Sequence, residues 1–523
     1  MSQFSAQVHP GRALGFLVLG ASLHDILTRL KAEPQRFPKL DLVYSPSDPV
    51  TQPVVVGLPA NGIRLRFDGP EQRLRLIEVL DFTKNHIIFK EQNKERDLFK
   101  PSSSASGPAQ ETTTGPSFKH IYTRFLGPTY DGEFVPGTDA AKQDMGTYVL
   151  SYPGVAFTFP MPSSAYSPDK DAVSLLSSSG TSVATSMTVF SGDSWAQSRD
   201  ALWTEILPSV KTFTPLAKGK DTSPDEISLI KIHGGGTLQL FRKWTSSSVW
   251  ITLGETTPQD LVAELGPPDA IYRKNEQRMY IHKIRTASNS RTRPNGADMR
   301  RHDPLTDTDQ SSAQDDSDAS DGAIEDDIVG NVSSECFYNY FYLGFDILVS
   351  TPIAPSRPPP SRAEEQNAAG ASIKMGTADS LVATKMILHG NIPGSYPFNR
   401  HRRCRWEIDY LQPSTQESPI SSESPFSDVE QRLREEWKSI YSSEDEAKKQ
   451  QRGMVLNRGW GDSPGSSVEL LGGWEGDTGA LPSRGVGGKK VDGSEDSTTT
   501  LYGFPGLVFE VLKNGFVSSL TVF

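Results

Sequence analysis

Four short amphipathic helices alternate along this chain with four strands that begin at a glycine, and this order constrains the fold more than any other feature. Each helix is preceded by a residue whose side chain can cap a helix amino terminus; these residues are Ser22, Ser117, Thr257 and Ser427. The strands follow four glycines, which are Gly62, Gly154, Gly344 and Gly506. Because a helix or a hairpin cannot close a core alone, such units must pair and bury one face.

The pattern predicts an α+β fold of repeated helix-plus-antiparallel-sheet units, with the helices on one face. The units are predicted at 1–95, 117–250, 251–410 and 426–523. Each glycine-entered strand has a predicted return strand; these are 74–79, 187–190, 385–388 and 516–520. Two local signals are specific: Ser427 and Glu430 are spaced as a capping box, and Asn514-Gly515 predicts a type I′ hairpin turn.

Several stretches between these units are rich in Ser, Thr, Pro, Gly and charge, and they contain few branched or aromatic residues. Such segments cannot bury enough apolar surface to order themselves. We expect long disordered inserts at about 287–330, 352–370 and 461–500, with shorter ones at 101–116 and 412–425. Since loop-closure entropy rises only slowly with length, a fold tolerates such insertions.

The net charge of −11 comes from 53 basic and 64 acidic residues, and the excess is concentrated in one segment. Residues 303–327 contain ten carboxylates and no Lys or Arg. The remainder is nearly neutral and lacks the broad basic surface of a nucleic-acid-binding protein. Two cysteines exclude a disulfide framework and a four-thiolate zinc site. The apolar run at 14–19 is too short to span a bilayer, so we expect a cytoplasmic protein with only peripheral membrane contact.

Two fragments imitate a serine hydrolase. Residues 461–465 match G-x-S-x-G around Ser463, and residues 233–236 read His-Gly-Gly-Gly. In a nucleophile elbow the residue after the serine donates its backbone N–H, but Pro464 has none. The glycine run lies between two predicted antiparallel strands, 227–232 and 237–241, which indicates a hairpin turn. A hydrolase using Ser463 is therefore the weakest functional hypothesis.

No metal or cofactor site is predicted either. His389, His401 and Cys404 fall in one short region, but no fourth ligand is evident. The arginines around them would also repel a cation. Residues 487–490 do not complete a phosphate-binding loop, because a lysine replaces the required Ser or Thr. We expect no enzyme activity, no cofactor and no small-molecule substrate.

One concentrated positive feature is a candidate binding surface. It consists of Arg400, Arg402, Arg403, Arg405 and Trp406. One interpretation is a solvated strand edge that charge protects from pairing. The other is a surface for anionic lipid headgroups or an acidic partner, with the tryptophan anchored at the interface.

Six segments along the chain resemble the phagosome assembly factor 1 family. They are 62–79, 125–159, 257–267, 337–348, 389–408 and 502–523. Among the most specific is 337–348, FYNYFYLGFDIL. The likeness runs through the chain in order and skips the low-complexity inserts; the segment from about 461 to 500 departs from the family pattern.

The resemblance implies a non-enzymatic adaptor or scaffold in autophagy. Animal members of the family pair with a WD40 β-propeller protein of the breast-carcinoma-amplified-sequence type, and the complex is recruited to the phagophore, where the propeller reads phosphoinositide. An older description of the family points to Golgi trafficking. The alternative to the adaptor is therefore a peripheral, Golgi-linked membrane-trafficking module or a lipid-binding module.

Overall fold

The computed structural model describes residues 3–91, 94–99, 114–129, 132–137, 145–177, 183–210, 225–273, 335–351, 381–411, 419–457 and 498–523. The long predicted inserts at 287–330 and 352–370 lie outside these residues, as do Ser463 and the segment 487–490. Of the predicted insert 461–500 only the last three residues are described, and they begin the strand Thr498–Phe504 instead of a disordered segment. The shorter predicted inserts are described only at 114–116 and 419–425. Within the described residues no helix is long and apolar enough to cross a membrane.

The amino-terminal half, up to residue 210, contains strands β1 to β13 and helices α1 to α4. The strands are β1 Phe4–His9, β2 Ala13–Leu14, β3 Leu17–Val18, β4 Asp41–Val43, β5 Val54–Leu58, β6 Ile63–Phe67, β7 Leu74–Val79, β8 Asn85–Glu91, β9 Lys94–Asp97, β10 Gly132–Val135, β11 Met145–Tyr152, β12 Val155–Pro162 and β13 Ser186–Val189. The helices are α1 Leu23–Ala32, α2 Phe118–His120 continued by a π-helical turn Ile121–Phe125, α3 Ala172–Leu176 and α4 Trp195–Ala201.

The carboxyl-terminal half, from residue 225, contains strands β14 to β25 and helices α5 to α7. The strands are β14 Ile227–Gly234, β15 Thr237–Arg242, β16 Ser248–Thr252, β17 Ala270–Arg273, β18 Cys336–Tyr340, β19 Phe345–Ser350, β20 Val382–His389, β21 Trp406–Ile408, β22 Met454–Asn457, β23 Thr498–Phe504, β24 Leu507–Leu512 and β25 Val517–Val522. The helices are α5 Pro258–Leu265, α6 Phe426–Glu436 and α7 Glu444–Gln450.

Each half has one large and one small sheet. The large sheets have the orders β10-β11-β12-β13-β7-β6-β5-β4 and β22-β23-β24-β25-β20-β19-β18-β17. The small sheets have the orders β3-β2-β1-β8-β9 and β16-β15-β14-β21. Both large sheets are antiparallel, as predicted, and two four-strand runs meet in each of them at the β13–β7 and β25–β20 pairs. The small sheets each include one parallel pair, β1–β8 and β14–β21, which the sequence did not indicate.

The apolar stripes of the sequence form the core of each half. In the amino-terminal half, α1 and α2 pack with both sheets into one cluster that extends from Phe4 to Val189. In the carboxyl-terminal half, α5 and α6 pack with both sheets into a second cluster, from Ile230 to Val522. The predicted packing of helices against mostly antiparallel sheets is therefore present in each half. Strands β14 to β16, placed at the end of the predicted unit 117–250, belong to the second cluster.

Local signals placed three of the four predicted helix starts correctly, those capped by Ser22, Ser117 and Thr257. The Ser22 side chain accepts a hydrogen bond from the Asp25 backbone N–H, and Thr257 forms a capping box with Asp260. The predicted box at Ser427 is wrong, because α6 begins at Phe426 after Pro425. The Phe426 backbone N–H donates to the carbonyl of Gly515 at 2.8 Å, so a tertiary contact replaces the cap.

The hairpins were predicted well, but one turn type was not. The four predicted glycines all have positive φ angles, of 60°, 77°, 91° and 74° in chain order. The run at 233–236 is a hairpin turn, in which Gly234 pairs with Thr237. The hairpin at Asn514-Gly515 is present, but among its residues only Gly515 has a positive φ. A type I′ turn needs positive φ at both central residues, so that assignment is wrong.

The prediction that the helices lie on one face is also wrong, because α4 covers the opposite face of the first large sheet. Trp195 and Leu202 pack there with a separate buried cluster, which comprises Leu76, Val149, Ala156 and Phe190. Successive side chains of a strand point to opposite faces, and the neighbours Ile77, Leu150 and Phe157 enter the main core. The central strands are thus apolar on both faces and need cover on both.

Candidate functional site

The site that the fold builds lies where the two halves meet, around the segment 390–405 that connects β20 to β21. We call this contact the junction. From the amino-terminal half it includes Asp25, Pro70, Glu71, Gln72 and Arg73; from the carboxyl-terminal half it includes Glu226, Lys243, Asn391, Arg402, Arg403, Arg405 and Glu423.

Two buried amides connect the halves directly. The Gln72 side chain donates to the backbone carbonyl of Asn391 at 2.8 Å, and the Asn391 amide donates to Gln72 Oε1 at 2.7 Å. Both residues have positive φ, 52° and 46°. Asn391 Oδ1 also accepts from the Asn399 backbone N–H at 2.7 Å. These bonds satisfy buried polar groups that would be costly to leave unpaired.

Arg402 is the charged centre of the junction. Its Nε donates to Asp25 Oδ1 at 2.9 Å, a second bond joins its Nη2 to Asp25 Oδ2, and its Nη1 donates to Glu226 Oε1 at 3.1 Å. Burial alone would raise the pKa of Asp25, but the charge and hydrogen bonds of Arg402 hold that pKa well below its ordinary value. The two carboxylates in turn raise the pKa of Arg402 against the effect of its burial.

Arg73 extends this network from the amino-terminal half. Its Nη2 lies 3.0 Å from Glu226 Oε2, and its Nη1 donates to the carbonyl of Gly20 at 3.4 Å. Burial favours a raised pKa for Glu226, but the charges of Arg73 and Arg402 lower it. One carboxylate therefore holds two guanidinium groups that come from different halves.

Arg403 and Arg405 occupy the other side of the junction. The Arg403 side chain is only 1% exposed; its Nε donates to the carbonyl of Pro70 and its Nη1 to the carbonyl of Gly390, each at 2.8 Å. Arg405 Nε donates to Glu423 Oε1 at 2.9 Å. Burial lowers the pKa of Arg403, although the Glu423 charge opposes that shift.

Apolar and neutral contacts complete the junction. Val50 packs with Ile392 and Phe516 in a small buried cluster that both halves supply. Asn514 donates a side-chain hydrogen bond to the carbonyl of Pro46 at 3.1 Å. The halves are thus joined by apolar packing as well as by ion pairs.

The predicted candidate surface does not fit this geometry. Trp406 is 1% exposed, with its ring centroid 6.1 Å from that of Phe509, so it cannot anchor at a membrane interface. Arg402 and Arg403 donate to groups inside the protein. Arg405 pairs with Glu423, and the Arg400 guanidinium lies 4.8 Å from the Tyr396 ring centroid. Three of the four arginines thus contact groups within the protein, so the charge run is mainly an internal contact between the two halves.

Sequence reasoning missed the acidic and amide partners, namely Asp25, Glu71, Gln72, Glu226 and Asn391. In the sequence Asp25 has only the signal of an acidic residue three positions after the helix cap Ser22. The remaining signal was weak: Gln72 lies in a turn between two predicted strands, and Asn391 follows a predicted strand. Neither position belongs to a periodic pattern that would single it out.

A second cluster beside the junction brings together Asp346, His389 and His401, whose metal-ligating types of atom lie within 4.8 Å of one another. His389 Nε2 lies 2.8 Å from Asp346 Oδ2, and His401 Nε2 lies 2.9 Å from Asp346 Oδ1. The two imidazole rings stack with centroids 3.7 Å apart. Burial and the neighbouring His389 lower the pKa of His401 to about 4, although Asp346 opposes the shift. Within the described residues these are the three side chains that could share one metal ion.

Cys404, which the sequence grouped with the two histidines, does not join them. Its thiol contacts the carbonyl of Arg405 at 3.9 Å, and burial raises its pKa to about 12. A thiol that remains protonated is a poor metal ligand and a poor nucleophile. In the structure the third member of the cluster is therefore Asp346 on β19 and not Cys404. The sequence spacing did not indicate Asp346.

Comparison with known proteins gives a consistent result. The chain is 23% identical over 520 residues to a PHAF1 protein of Arabidopsis thaliana, covering 99% of this chain and 92% of that protein. A PHAF1 protein of Drosophila melanogaster is 22% identical over 524 residues, covering 97% and 90%. A PHAF1 protein of Caenorhabditis elegans is 29% identical over 148 residues, covering 27% and 28%. No solved structure matches.

The family model described as phagosome assembly factor 1 matches residues 13–297 and 375–523. These ranges include both sides of the junction. The match covers most of the chain, so this protein belongs to the phagosome assembly factor 1 family.

Proposed function

We propose that this protein is a non-enzymatic scaffold for phagosome assembly, and that it acts at the phagophore assembly site with a WD40 β-propeller partner. Membership of the phagosome assembly factor 1 family supports the general role. The observation that carries the scaffold mechanism is the junction, where Arg402 joins Asp25 of one half to Glu226 of the other.

A scaffold must present its binding surfaces in a fixed relation to one another. Buried ion pairs add little net stability, but a pair whose members lie in different halves penalises every other docking of those halves. Because Arg402 contacts Asp25 through two parallel hydrogen bonds, the contact also favours one relative orientation of the two halves. The junction therefore makes one platform of two sheet assemblies, and the partner would bind across that platform.

We also propose that the platform is built from repeats. Each large sheet consists of two four-strand runs, and in each run a glycine with positive φ lies between the second and third strands. The predicted units 1–95, 117–250, 251–410 and 426–523 each contain one such run. Stacked repeats of this kind produce extended binding surfaces.

The proposed location is cytoplasmic, with peripheral recruitment to forming autophagosomes. In this proposal the propeller contacts the lipid, because the arginines that suggested a lipid surface are engaged at the junction. A Golgi-linked trafficking role is the alternative, and the affinity purification described next distinguishes it from the scaffold.

The test is affinity purification of the tagged full-length protein from its own cells, followed by mass spectrometry. We expect a near-stoichiometric WD40 propeller protein with the wild type and with Arg434→Ala, which removes the exposed ion pair to Glu430. The Arg402→Ala protein should recover much less of the propeller protein, because it lacks the contact of Arg402 with Asp25 and Glu226. Recovery of Golgi coat components without a propeller would refute the proposal and support the trafficking alternative.

A lipid-binding role is tested separately by flotation with phosphoinositide liposomes. We expect the purified chain alone to remain with the soluble fraction. Flotation that Arg400→Glu abolishes would support the lipid-binding module instead of the propeller-dependent scaffold.

A further inference from the structure

The cluster of Asp346, His389 and His401 has the composition and spacing of a metal site. The two Nε2 atoms lie 2.8 and 2.9 Å from the two carboxylate oxygens, and the ligand atoms of all three residues lie within 4.8 Å of one another. Zinc binds imidazole nitrogen and carboxylate oxygen at about 2.0–2.2 Å, so two ligand atoms of a tetrahedral site are roughly 3.4 Å apart. A shift of about half an ångström at each nitrogen–oxygen pair would admit the ion.

The surroundings hold the ligands in place. Asn339 on β18 donates to Asp346 Oδ1 at 2.8 Å, which orients the carboxylate and leaves Oδ2 directed at His389. The backbone N–H of Cys404 donates to the carbonyl of His389 at 2.8 Å. A hydrogen bond to a ligating carboxylate, such as the one from Asn339, orients the metal ligand and tunes its affinity.

The electrostatic objection that the sequence raised does not apply in the folded protein. Three of the four arginines near the cluster in sequence pair with carboxylates: Arg402 with Asp25 and Glu226, and Arg403 and Arg405 with Glu423. The fourth, Arg400, lies over the Tyr396 ring. The cluster itself combines one carboxylate with two imidazoles.

We propose that Asp346, His389 and His401 bind one first-row divalent transition-metal ion, with Zn²⁺ the ion that this ligand set suits best. Water would supply the remaining coordination position, since Cys404 is turned away. The ion would link β19, β20 and the segment 390–405, and so would brace the base of the junction. Neutral histidine and a single carboxylate are ligands that zinc prefers, whereas Mg²⁺ and Ca²⁺ prefer oxygen.

The first measurement needs no variant. The full-length protein, purified without chelators, is analysed for zinc, iron, cobalt, nickel, copper and manganese by mass spectrometry. It is then stripped with a chelator and titrated with Zn²⁺ and Co²⁺. We expect about one ion per chain, a rise in melting temperature with Zn²⁺, and the visible absorption of low-symmetry Co²⁺. A wild-type protein that holds no ion and binds neither Zn²⁺ nor Co²⁺ would overturn the proposal.

Variants then locate the ion. His389→Ala should abolish binding, and Asn339→Ala should weaken it by about 10- to 100-fold. The matched control is His86→Ala, because His86 Nε2 also lies 2.8 Å from an aspartate, Asp97, in a pair outside the three-residue cluster. The control should retain the ion. Equal metal content in the wild type and in folded His389→Ala would show that the ion binds elsewhere and would refute this assignment.

Discussion

The two halves follow the same path between their sheets but differ in how they connect them. In the amino-terminal half, β7 of the large sheet leads to β8 of the small sheet through residues 80–84. In the carboxyl-terminal half the equivalent connection, from β20 to β21, is the longer segment 390–405. The short connection contains one 3-10 turn, Phe82–Lys84, whereas the long one forms the centre of the junction.

This difference shows how a fold can acquire an interface without changing its sheets. Lengthening a connection costs little closure entropy, and the added residues can reach a neighbouring structure. Here they carry Asn391, Arg402 and Arg403 to partners in the amino-terminal half. The short connection has no comparable reach, and its Leu80 is 44% exposed.

The largest expected effect is that of Arg402→Ala. The substitution leaves the carboxylates of Asp25 and Glu226 at the junction without their shared guanidinium. Breaking a buried ion pair in this way costs about 3–5 kcal/mol. We expect a corresponding fall in the midpoint of urea unfolding. Tryptophan fluorescence of the whole chain monitors the unfolding.

Two controls sharpen that result. Arg434→Ala removes an exposed pair to Glu430 and should change stability by less than about 0.5 kcal/mol. Leu80→Ala in the short connection should have a similarly small effect. If Arg402→Ala matched these controls, the long connection would not hold the halves together.

The next effect compares the same turn in two places. Gly344 has a φ of 91°, and a Cβ there would lie 2.6 Å from the carbonyl oxygen of Arg402. Gly506 has a φ of 74°, but the nearest atom to its Cβ would be 3.5 Å away. Gly344→Ala should cost roughly 3 kcal/mol, since a clash adds to the strain, and Gly506→Ala about 1–2 kcal/mol from strain alone. Equal losses of melting temperature would contradict this difference.

A smaller effect should come from the amide pair. Gln72 and Asn391 exchange hydrogen bonds across the junction, so their contributions should depend on each other. A double-mutant cycle with Gln72→Ala and Asn391→Ala should give a coupling of about 1–2 kcal/mol. The measurement is chemical unfolding of the four proteins. Additive losses would show that the pair does not act as a unit.

The weakest expected effect is the response of the junction to acid. Burial would raise the pKa values of the Glu71, Glu226 and Glu423 carboxyl groups. Nearby cations outweigh burial and lower these pKa values below the ordinary 4.5. A group with a lowered folded pKa contributes stability that is complete above its unfolded pKa and is lost as the pH falls through its folded pKa. The urea midpoint should therefore decline as the pH falls below about 4.5.

The variant Glu226→Gln should make this decline shallower, because it removes one titrating group from the junction. The control is Glu133→Gln, which changes a surface ion pair with Arg199 and should leave the profile as it is. An unchanged slope in Glu226→Gln would mean that the acid response arises outside the junction.

Much of the fold followed from local pattern. The caps at Ser22 and Thr257 and the glycine at 344 were predicted from neighbouring residues, and the structure contains each of them. Two local predictions were wrong for tertiary reasons. The start of α6 is set by a bond from Phe426 to Gly515, and the turn at Asn514 is a longer loop whose asparagine side chain also bonds to Pro46.

The candidate site followed only in part. The sequence singled out the charged segment, and it grouped His389 and His401 with Cys404 but predicted no metal site there. It did not identify Asp346, and it assigned the arginines to a surface. Burial of Trp406 and the ion pairs of Arg402 overturn that assignment, because opposite charges can neutralise one another across a fold as well as along a chain.

By itself, the sequence determined several helices and the main hairpins, because each depends on side-chain period and on caps within a few residues. Only the tertiary structure decided the junction. Its contacts join residues that are 377 positions apart, as for Arg402 and Asp25, or 319 apart, as for Gln72 and Asn391. No local period relates such positions, and they meet only where the two halves contact each other.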